Sequence, residues 1–476
     1  MDIVKEIILS TEEQQIISSD LAHNYQIVPK EDTANLISFF ISESASKETV
    51  KDELELILGK SIKLYTVSID IINRALILYY RKGKRDTGQD NSNTEKFKFA
   101  SQDFLEELIF EAKDIGSSDI HFEVFKDEAR VRYRIDGKLT EKYKIERDNY
   151  LELVNKIKIK SNLDITEKRL PQDGRINYDD FDIRVSILPT LHGEKIVMRI
   201  LGRDTAHLSM DKLGMAQNEK ELYLEALKAS KGIILISGPT GSGKTTTLYA
   251  SLKELNKVTS NIVTVEDPIE YTLKGINQVQ LREDIGLTFT NALKTFLRQD
   301  PDIIMLGEIR DGATAEMAIR ASLTGHLVLS TIHTNSALGT ISRLIDMGVP
   351  AFLIAETLKI SVAQRLVRKL CNTCKESAVL KGNEYNNETF DGIKEHWISK
   401  GCENCHYTGY KGRTAIYEII PIDSILTQEI KKNSTNLEES ISDYKESNLS
   451  GKAIRLVQNG ITSIEEVYSI IIENKG

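Results

Sequence analysis

The sequence predicts an α/β chain of several domains, the largest built on a parallel sheet covered on both faces. Three observations point there. Between residues 204 and 365 the short apolar segments GIILISG, NIVTVED, DIIMLGE and HLVLST alternate with helical stretches, as strands buried on both faces do. Upstream, behind a leading helix SQDFLEELIFEAKD, the segments DIHFEVF, EARVRYRIDG and FDIRVSILPT alternate apolar with polar residues, the pattern of half-buried strands. The chain has 476 residues, which is more than one hydrophobic core accommodates, so two or three domains are expected.

Charge and composition exclude several functions. The net charge of −9 argues against a broad, sequence-independent grip on nucleic acid, which needs a surplus of Lys and Arg facing phosphates. The opening MDIVKEIILSTEEQQ lacks the basic and long apolar regions of an export signal, so a cytoplasmic location is expected. Apolar stretches such as ALILYY (75–80) and GIILISG (232–238) fall well short of the ~20 residues that span a bilayer. Any membrane association is therefore expected to go through partners. Residues 81–98, RKGKRDTGQDNSNTEKFK, carry almost no apolar side chain and read as a solvated linker after a first domain.

Gly238-Pro239-Thr240-Gly241-Ser242-Gly243-Lys244-Thr245 fulfils the GxxxxGK[ST] template of a phosphate-binding loop. An apolar strand enters it, and the helix-forming TTTLYASLKELN, beginning at Thr245 and Thr246, leaves it. Glycines let backbone N–H groups close around phosphates, and the helix N-terminus favours negative charge. Lys244 would meet the β- and γ-phosphates of ATP, and Thr245 would ligate Mg²⁺. In DIIMLGEIRD (302–311) a strand delivers Glu308 to the crevice where ligands bind in open α/β sheets. There it is expected to reach Mg²⁺ through water. The cluster Glu266-Asp267-Pro268-Ile269-Glu270 follows the strand NIVTV, and Glu270 is the acid favoured to orient and deprotonate the attacking water. In TGHLVLSTIHTN (324–335), His326 opens a strand and His333 follows its end, placed to sense the γ-phosphate.

All four cysteines of the chain fall in two CxxC pairs, Cys371/Cys374 and Cys402/Cys405, separated by the 27 residues 375–401. Two such pairs complete a tetrahedral Zn²⁺ site and leave no sulfur for an open catalytic position, so structural zinc is expected.

EDPIEY (266–271), LRQDPD (297–302), GEIRD (307–311) and TGHLVLSTIHTN, in this order, resemble the secretion ATPases that drive type II secretion and type IV pilus assembly. SSDIHFE (117–123), VRYRIDGKL (131–139), RLPQDGRI (169–176) and RVSILPTLHGEKIVMRIL (184–201) resemble the domain that precedes the ATPase core in that family. GYKGRTAIYEI (409–419) and GITSIEEV (460–467) resemble its C-terminal part. The resemblance implies a RecA-like P-loop NTPase core, a preceding α+β, PAS-like domain, an N-terminal docking domain and a C-terminal zinc-binding subdomain. The corresponding division is 1–82 docking domain, 83–98 linker, 99–204 α+β domain, 205–368 ATPase core, 369–410 zinc subdomain and 411–476 C-terminal helical segment.

The resemblance further implies a homohexamer at the cytoplasmic face of the inner membrane. Its partners would be an inner-membrane platform protein and accessory assembly proteins, met through the N-terminal domain. Arg184 and Arg199, by motif match, would reach the γ-phosphate from the preceding domain, and Arg298 and Arg310 occupy family arginine positions in the core. Lys294 stands where the family often has another arginine, which removes any planar bidentate contact there. The tetracysteine is a feature of the family's secretion and pilus-extension members. Two other readings are compatible with a phosphate loop: a hexameric helicase or DNA translocase, disfavoured by the acidic charge, and a nucleotide-binding scaffold without turnover, disfavoured by Lys244, Glu270 and Glu308.

Overall fold

The computed structural model describes residues 104–202, 208–380, 395–434 and 444–473, together with most of 7–80 and a few residues between these spans. The chain forms two compact units, residues 1–97 and 98–476. The linker expected at 83–98 lies outside the described residues.

In the first unit, β1 (Ile27–Asp32), β2 (Leu36–Ser42) and β3 (Ser61–Val67) form a three-stranded sheet in that order. β1 and β2 pair antiparallel, while β3 joins β2 in parallel across the intervening helix Lys47–Leu58. Ile27, Phe39, Ile41 and Ile62 close a small core with Ile72 and Leu76 of the helix Ile69–Tyr79.

The second unit begins with the helix Phe104–Asp114 and a six-stranded antiparallel sheet. Its strands are β4 (Ser117–Val124), β5 (Ala129–Ile135), β6 (Lys138–Ile145), β7 (Gln172–Asn177), β8 (Phe181–Thr190) and β9 (Gly193–Gly202), in the spatial order β6-β5-β4-β9-β8-β7. The alternation read from the sequence is plain in β5: Ala129, Val131, Tyr133 and Ile135 are buried while Arg130, Arg132 and Arg134 face outward. The apolar face packs on Leu108, Ile109 and Ala112 of the leading helix and on Leu153, Val154 and Ile157 of the helix Arg147–Lys160. The opposite face therefore carries the arginines.

Seven strands build the core sheet: β10 (Gly232–Ser237), β11 (Ile262–Glu266), β12 (Asn277–Gln280), β13 (Ile303–Leu306), β14 (Leu327–Ile332), β15 (Leu358–Leu370) and β18 (Tyr410–Pro421), ordered β12-β11-β13-β14-β10-β15-β18. The first six run parallel, and separate apolar clusters cover the sheet's two faces. The short β16 (Glu376–Val379) and β17 (Glu395–Ile398) pair with each other in the region of the cysteines.

One part of the sequence reading needs correction. The core does not stop at residue 368, because β15 runs on to Leu370 and β18, inside the segment expected to be helical, pairs antiparallel with it from Ile360↔Pro421 to Leu370↔Tyr410. Pairing satisfies the backbone groups of β15 on the side away from β10, which would otherwise form an exposed sheet edge. The helices Leu449–Gln458 and Ile464–Glu473 pack onto this extension through Leu449, Ala453, Val457, Val467 and Ile471.

Glu418 of β18 is buried at 1% exposure; its Oε1 accepts the Ala337 N–H at 2.9 Å and its Oε2 the Leu449 N–H at 3.2 Å. A single carboxylate thus serves the chain entering two helices, one in the core and one near the C-terminus. Glu418→Ala would strand two buried donors at about 1–3 kcal/mol each, so a denaturant midpoint clearly below that of the parent protein is expected in equilibrium unfolding.

Candidate functional site

Register puts the site at one edge of the sheet. Val265, Leu306, Ser330 and Leu235 lie side by side across β11, β13, β14 and β10. Two residues further along, therefore, Asp267, Glu308, Ile332 and Ser237 are level, where the chain leaves four parallel strands at their carboxyl ends.

The phosphate loop follows β10 and delivers Lys244 to the first position of the helix Lys244–Leu255. Gly238, at φ +146°, leaves no room for a Cβ: that atom would lie 2.5 Å from the Gln364 carbonyl oxygen and 2.7 Å from Ser242 Oγ. Gly243 is left-handed at φ +88° and its Cβ would meet Gln364 Nε2 at 2.8 Å. Both glycines are thus fixed by β15, which supplies Gln364 from more than a hundred residues downstream. The same side chain accepts the Thr247 hydroxyl at 2.8 Å. A polar residue in the middle of the apolar LKISVAQRLV was the available signal for it, and composition alone gave it no role.

Lys244 is buried, and its Nζ donates to the Gly238 and Pro239 carbonyls at 2.7 and 3.0 Å. Burial, the largest influence, pushes its pKa down to about 8 against the opposing charge of Glu308. Pro239, Thr240, Gly241 and Thr245 are exposed along the loop, and Thr246 is half-buried. Ser242 Oγ is buried in the cradle with no hydrogen-bond partner among the described residues. A buried hydroxyl without a partner, beside a lysine and a helix N-terminus, fits a bound phosphate.

Around Glu308 the sequence-predicted residues meet. Its Oε1 accepts a hydrogen bond from Arg310, its Oε2 lies 3.4 Å from His333 Nε2, and Arg310 also stands 3.8 Å from Asp267. Burial would raise the Glu308 pKa, but the bond and charge of Arg310, with His333, hold it below the ordinary carboxylate value. The turn carrying it is pinned by Thr331, whose hydroxyl donates to Gly307 O at 2.7 Å and whose carbonyl accepts Ile309 N–H at 2.9 Å. Thr245 and Glu308 offer the hard oxygen donors that suit Mg²⁺.

The second group forms where the six-stranded sheet meets the core. Arg184 of β8 donates from Nη2 to the Ile269 carbonyl at 2.6 Å, and its Nη1 lies 3.8 Å from Glu270 Oε2. Arg199, its partner in register on β9, donates from Nε to Asp119 Oδ1 at 2.9 Å. Asp119, which also lies 3.4 Å from Arg134, went unread as a site residue because aspartate in a half-buried strand is ordinarily a solvated one. Two expected residues stand apart. Arg298 donates to the Lys294 carbonyl at 3.1 Å, closing the end of its own helix. His326 binds Ala321 O at 2.9 Å at the opposite end of β14 from His333.

The family model described as type II/IV secretion system protein matches residues 95–469. The chain belongs to that family. It is an ATPase. Type II secretion system protein E of Pseudomonas aeruginosa is 45% identical over 77% of this chain and 74% of its own length. The type IV pilus assembly ATPase PilB of the same species is 39% identical over 95% of this chain and 85% of its own. Among solved structures, the pilus retraction motor PilT with bound ADP is similar at a TM-score of 0.53 and 26% identity, over 76% of this chain and 96% of that one. The fold also resembles the Legionella pneumophila ATPase DotB, with a TM-score of 0.58, 19% identity and coverage of 80% of this chain and 98% of that one.

The four cysteines sit at the tip of the β15–β18 pair, with Cys371 directly after Leu370 and Cys405 five residues before Tyr410, its partner in register. All four Sγ atoms lie within 4.8 Å of one another, and three pairs, Cys371/Cys402, Cys374/Cys405 and Cys402/Cys405, are 3.8 Å apart. That is the edge of a sulfur tetrahedron around Zn²⁺, about 3.8 Å for bonds of about 2.3 Å. Backbone N–H groups of Cys402 and Gly409 point at Cys405 Sγ at 3.2 and 3.3 Å, the outer hydrogen bonds that favour a thiolate. The residues fit zinc, which when bound would hold the two turns together.

Two outcomes follow. Elemental analysis should find one zinc per chain, and Cys402→Ser should lose it and open residues 371–409 to proteolysis. A phosphate-binding role for Lys244 needs its charged form, which exists below about pH 8. Accordingly, kcat/KM for MgATP should fall as pH rises through about 8, and a profile flat well above that pH counts against this role.

Proposed function

We propose that this ATPase is the hexameric motor of a type IV pilus assembly or type II secretion machine. ATP is hydrolysed in the cleft between the six-stranded domain and the core sheet, and the reaction rocks one on the other. The observation that carries this reading is the grip of Arg184 on the loop bearing Glu270, because it joins the two lobes at the acid assigned to activate water.

The roles follow from position. Lys244 and the loop N–H groups bind the phosphates. Thr245 and Glu308 would hold Mg²⁺, which neutralises phosphate charge when bound. Glu270 takes the proton of the attacking water. Arg184 and Arg199 supply positive charge to the phosphoryl group as the lobes close, and Arg310 keeps Glu308 ionised and aimed. His333, bonded to Glu308, reports the state of that carboxylate to the strand β14. Arg298 serves the subunit contact of the ring, which accords with its exposed position on a helix end. The motor works at the cytoplasmic face of the inner membrane and meets the membrane through its partners; no helix among the described residues is long and apolar enough to cross one. Residues 1–82 are the part that docks on the platform protein and accessory assembly proteins.

Replacing both Arg184 and Arg199 by alanine should lower kcat roughly 100- to 1,000-fold while ADP binding changes little. Parental turnover in that double variant would exclude the closing-cleft reading. Duplex or single-stranded DNA should leave the rate unchanged; marked stimulation would instead favour a nucleic-acid translocase.

A further inference from the structure

The loop that carries Glu270 is anchored by a residue that no motif singles out. Tyr249 lies in the helix Lys244–Leu255, five residues after the phosphate-loop lysine, and is fully buried. Its hydroxyl donates to Glu266 Oε2, and its oxygen accepts the backbone N–H of Glu270 at 3.2 Å and of Tyr271 at 3.4 Å. Glu266 is itself buried and engaged through both oxygens, since its Oε1 accepts from Thr264 Oγ1 at 2.6 Å and Gln278 Nε2 at 3.0 Å. Gln278 Nε2 also donates to Tyr271 O at 3.0 Å, and Gln280 Oε1 accepts the Ile269 N–H at 2.9 Å. The backbone of residues 269–271 is therefore held from the strand side by β12 and from the nucleotide side by the phosphate-loop helix. Arg184 holds it from the other lobe.

This geometry has a direction. Tyr249 is the described contact between the helix that begins at Lys244 and the N–H of Glu270. A core tyrosine whose ring merely filled space would need one partner for its hydroxyl; this one has three, and two belong to the loop of the acid. Burial and the neighbouring Glu266 raise its pKa, so the phenol stays protonated and always donates to Glu266. Glu266, by the same bonds, is committed to holding Tyr249 and β12. Asp267 faces Arg310 of the core, so of the cluster's three acids it is Glu270 whose carboxylate lies beside an arginine of the other lobe.

We propose that Tyr249 is a positioning residue for hydrolysis: its hydroxyl ties the phosphate-loop helix to the backbone of Glu270, so that the acid is aimed only when the loop is in its binding arrangement. The inference rests on the reading of Glu270 as the group that activates water. It assigns Glu266 to the support of that group.

The test uses the full-length, zinc-loaded ring. Tyr249→Phe should lower kcat roughly ten- to a hundredfold, the scale of a misplaced catalytic group, with the KM for ATP changed less than about twofold. In a Glu270→Gln background the same substitution should reduce the remaining rate by less than about twofold, because the group it aims is already absent. Tyr249→Phe also strands a buried carboxylate oxygen, so a structural effect must be separated. Tyr249→Phe combined with Glu266→Gln removes the buried charge and should recover part of the lost thermal midpoint while kcat stays low.

Recovery of kcat together with the midpoint would make Tyr249 a stabilising residue only and overturn the proposal. So would turnover in Tyr249→Phe within twofold of the parent, or a full multiplicative loss on top of Glu270→Gln. Parental turnover in Glu270→Gln alone would remove the reading of Glu270 and this inference with it. Slow turnover there, with multiplicative loss, removes the inference alone.

Discussion

A lysine ammonium taken out of water sets the terms for this active site. Lys244 is buried against its own loop's carbonyls, and the cost of desolvating its charge is offset in part by Glu308. That compensation exists because β13 and β10 end at the same side of the sheet, with β14 between them, so that the loops leaving them bring a carboxylate within reach of the lysine's charge. Arg310 and His333 then keep Glu308 ionised. The parallel sheet is thus the device that makes a charged lysine affordable in a crevice that must exclude water, and the remaining site residues are arranged around that pair.

A second constraint is the polar clamp on residues 269–271. Loops that carry catalytic acids are drawn from the less stable parts of a fold, and one that must respond to another lobe needs firm anchors with one movable contact. Here Tyr249, Gln278 and Gln280 are intradomain anchors, whereas Arg184 comes from the six-stranded sheet. The arginine-bearing face of that sheet is also where Asp119 restrains Arg199 and Arg134. Opposing carboxylates limit self-repulsion among these arginines and leave each with a defined direction. The lobes also meet at the turn before β6, where Asp136 accepts Gly412 N–H at 2.8 Å at the start of β18. That strand leads straight back to the cysteines, so the zinc tip and the lobe contact share one element. A metal held by those cysteines would stiffen the end of the β15–β18 pair near the place where the second lobe touches it.

Much of the nucleotide site was legible because its chemistry is local. Gly238 to Thr245 must be glycine-rich and end in a lysine and a hydroxyl whatever surrounds them, and an apolar strand before and a helix after are visible in the same few residues. The two CxxC pairs were equally plain, since each forms a turn by itself. Glu308 and the acidic cluster that holds Glu270 stood out because each follows a short apolar strand. By contrast Gln364, Tyr249, Asp119 and Glu418 look in the sequence like ordinary residues of a strand or helix. Each acquires its role from a partner between about twenty and more than a hundred residues away.

By itself, then, the sequence determined the chemical inventory: a phosphate loop, strand-end acids, four thiols for one metal and a membership that their order reveals. The tertiary structure alone decided which acid supports and which faces the other lobe, that Arg184 reaches the loop of Glu270 while Arg298 stays on its own helix, and that β18 belongs to the core sheet. The physical reason is that local motifs are fixed by backbone conformation and by neighbours a few residues apart. Hydrogen-bond partnership across a sheet depends instead on strand order and register, which pair residues distant in the chain and leave little trace in any short stretch of it.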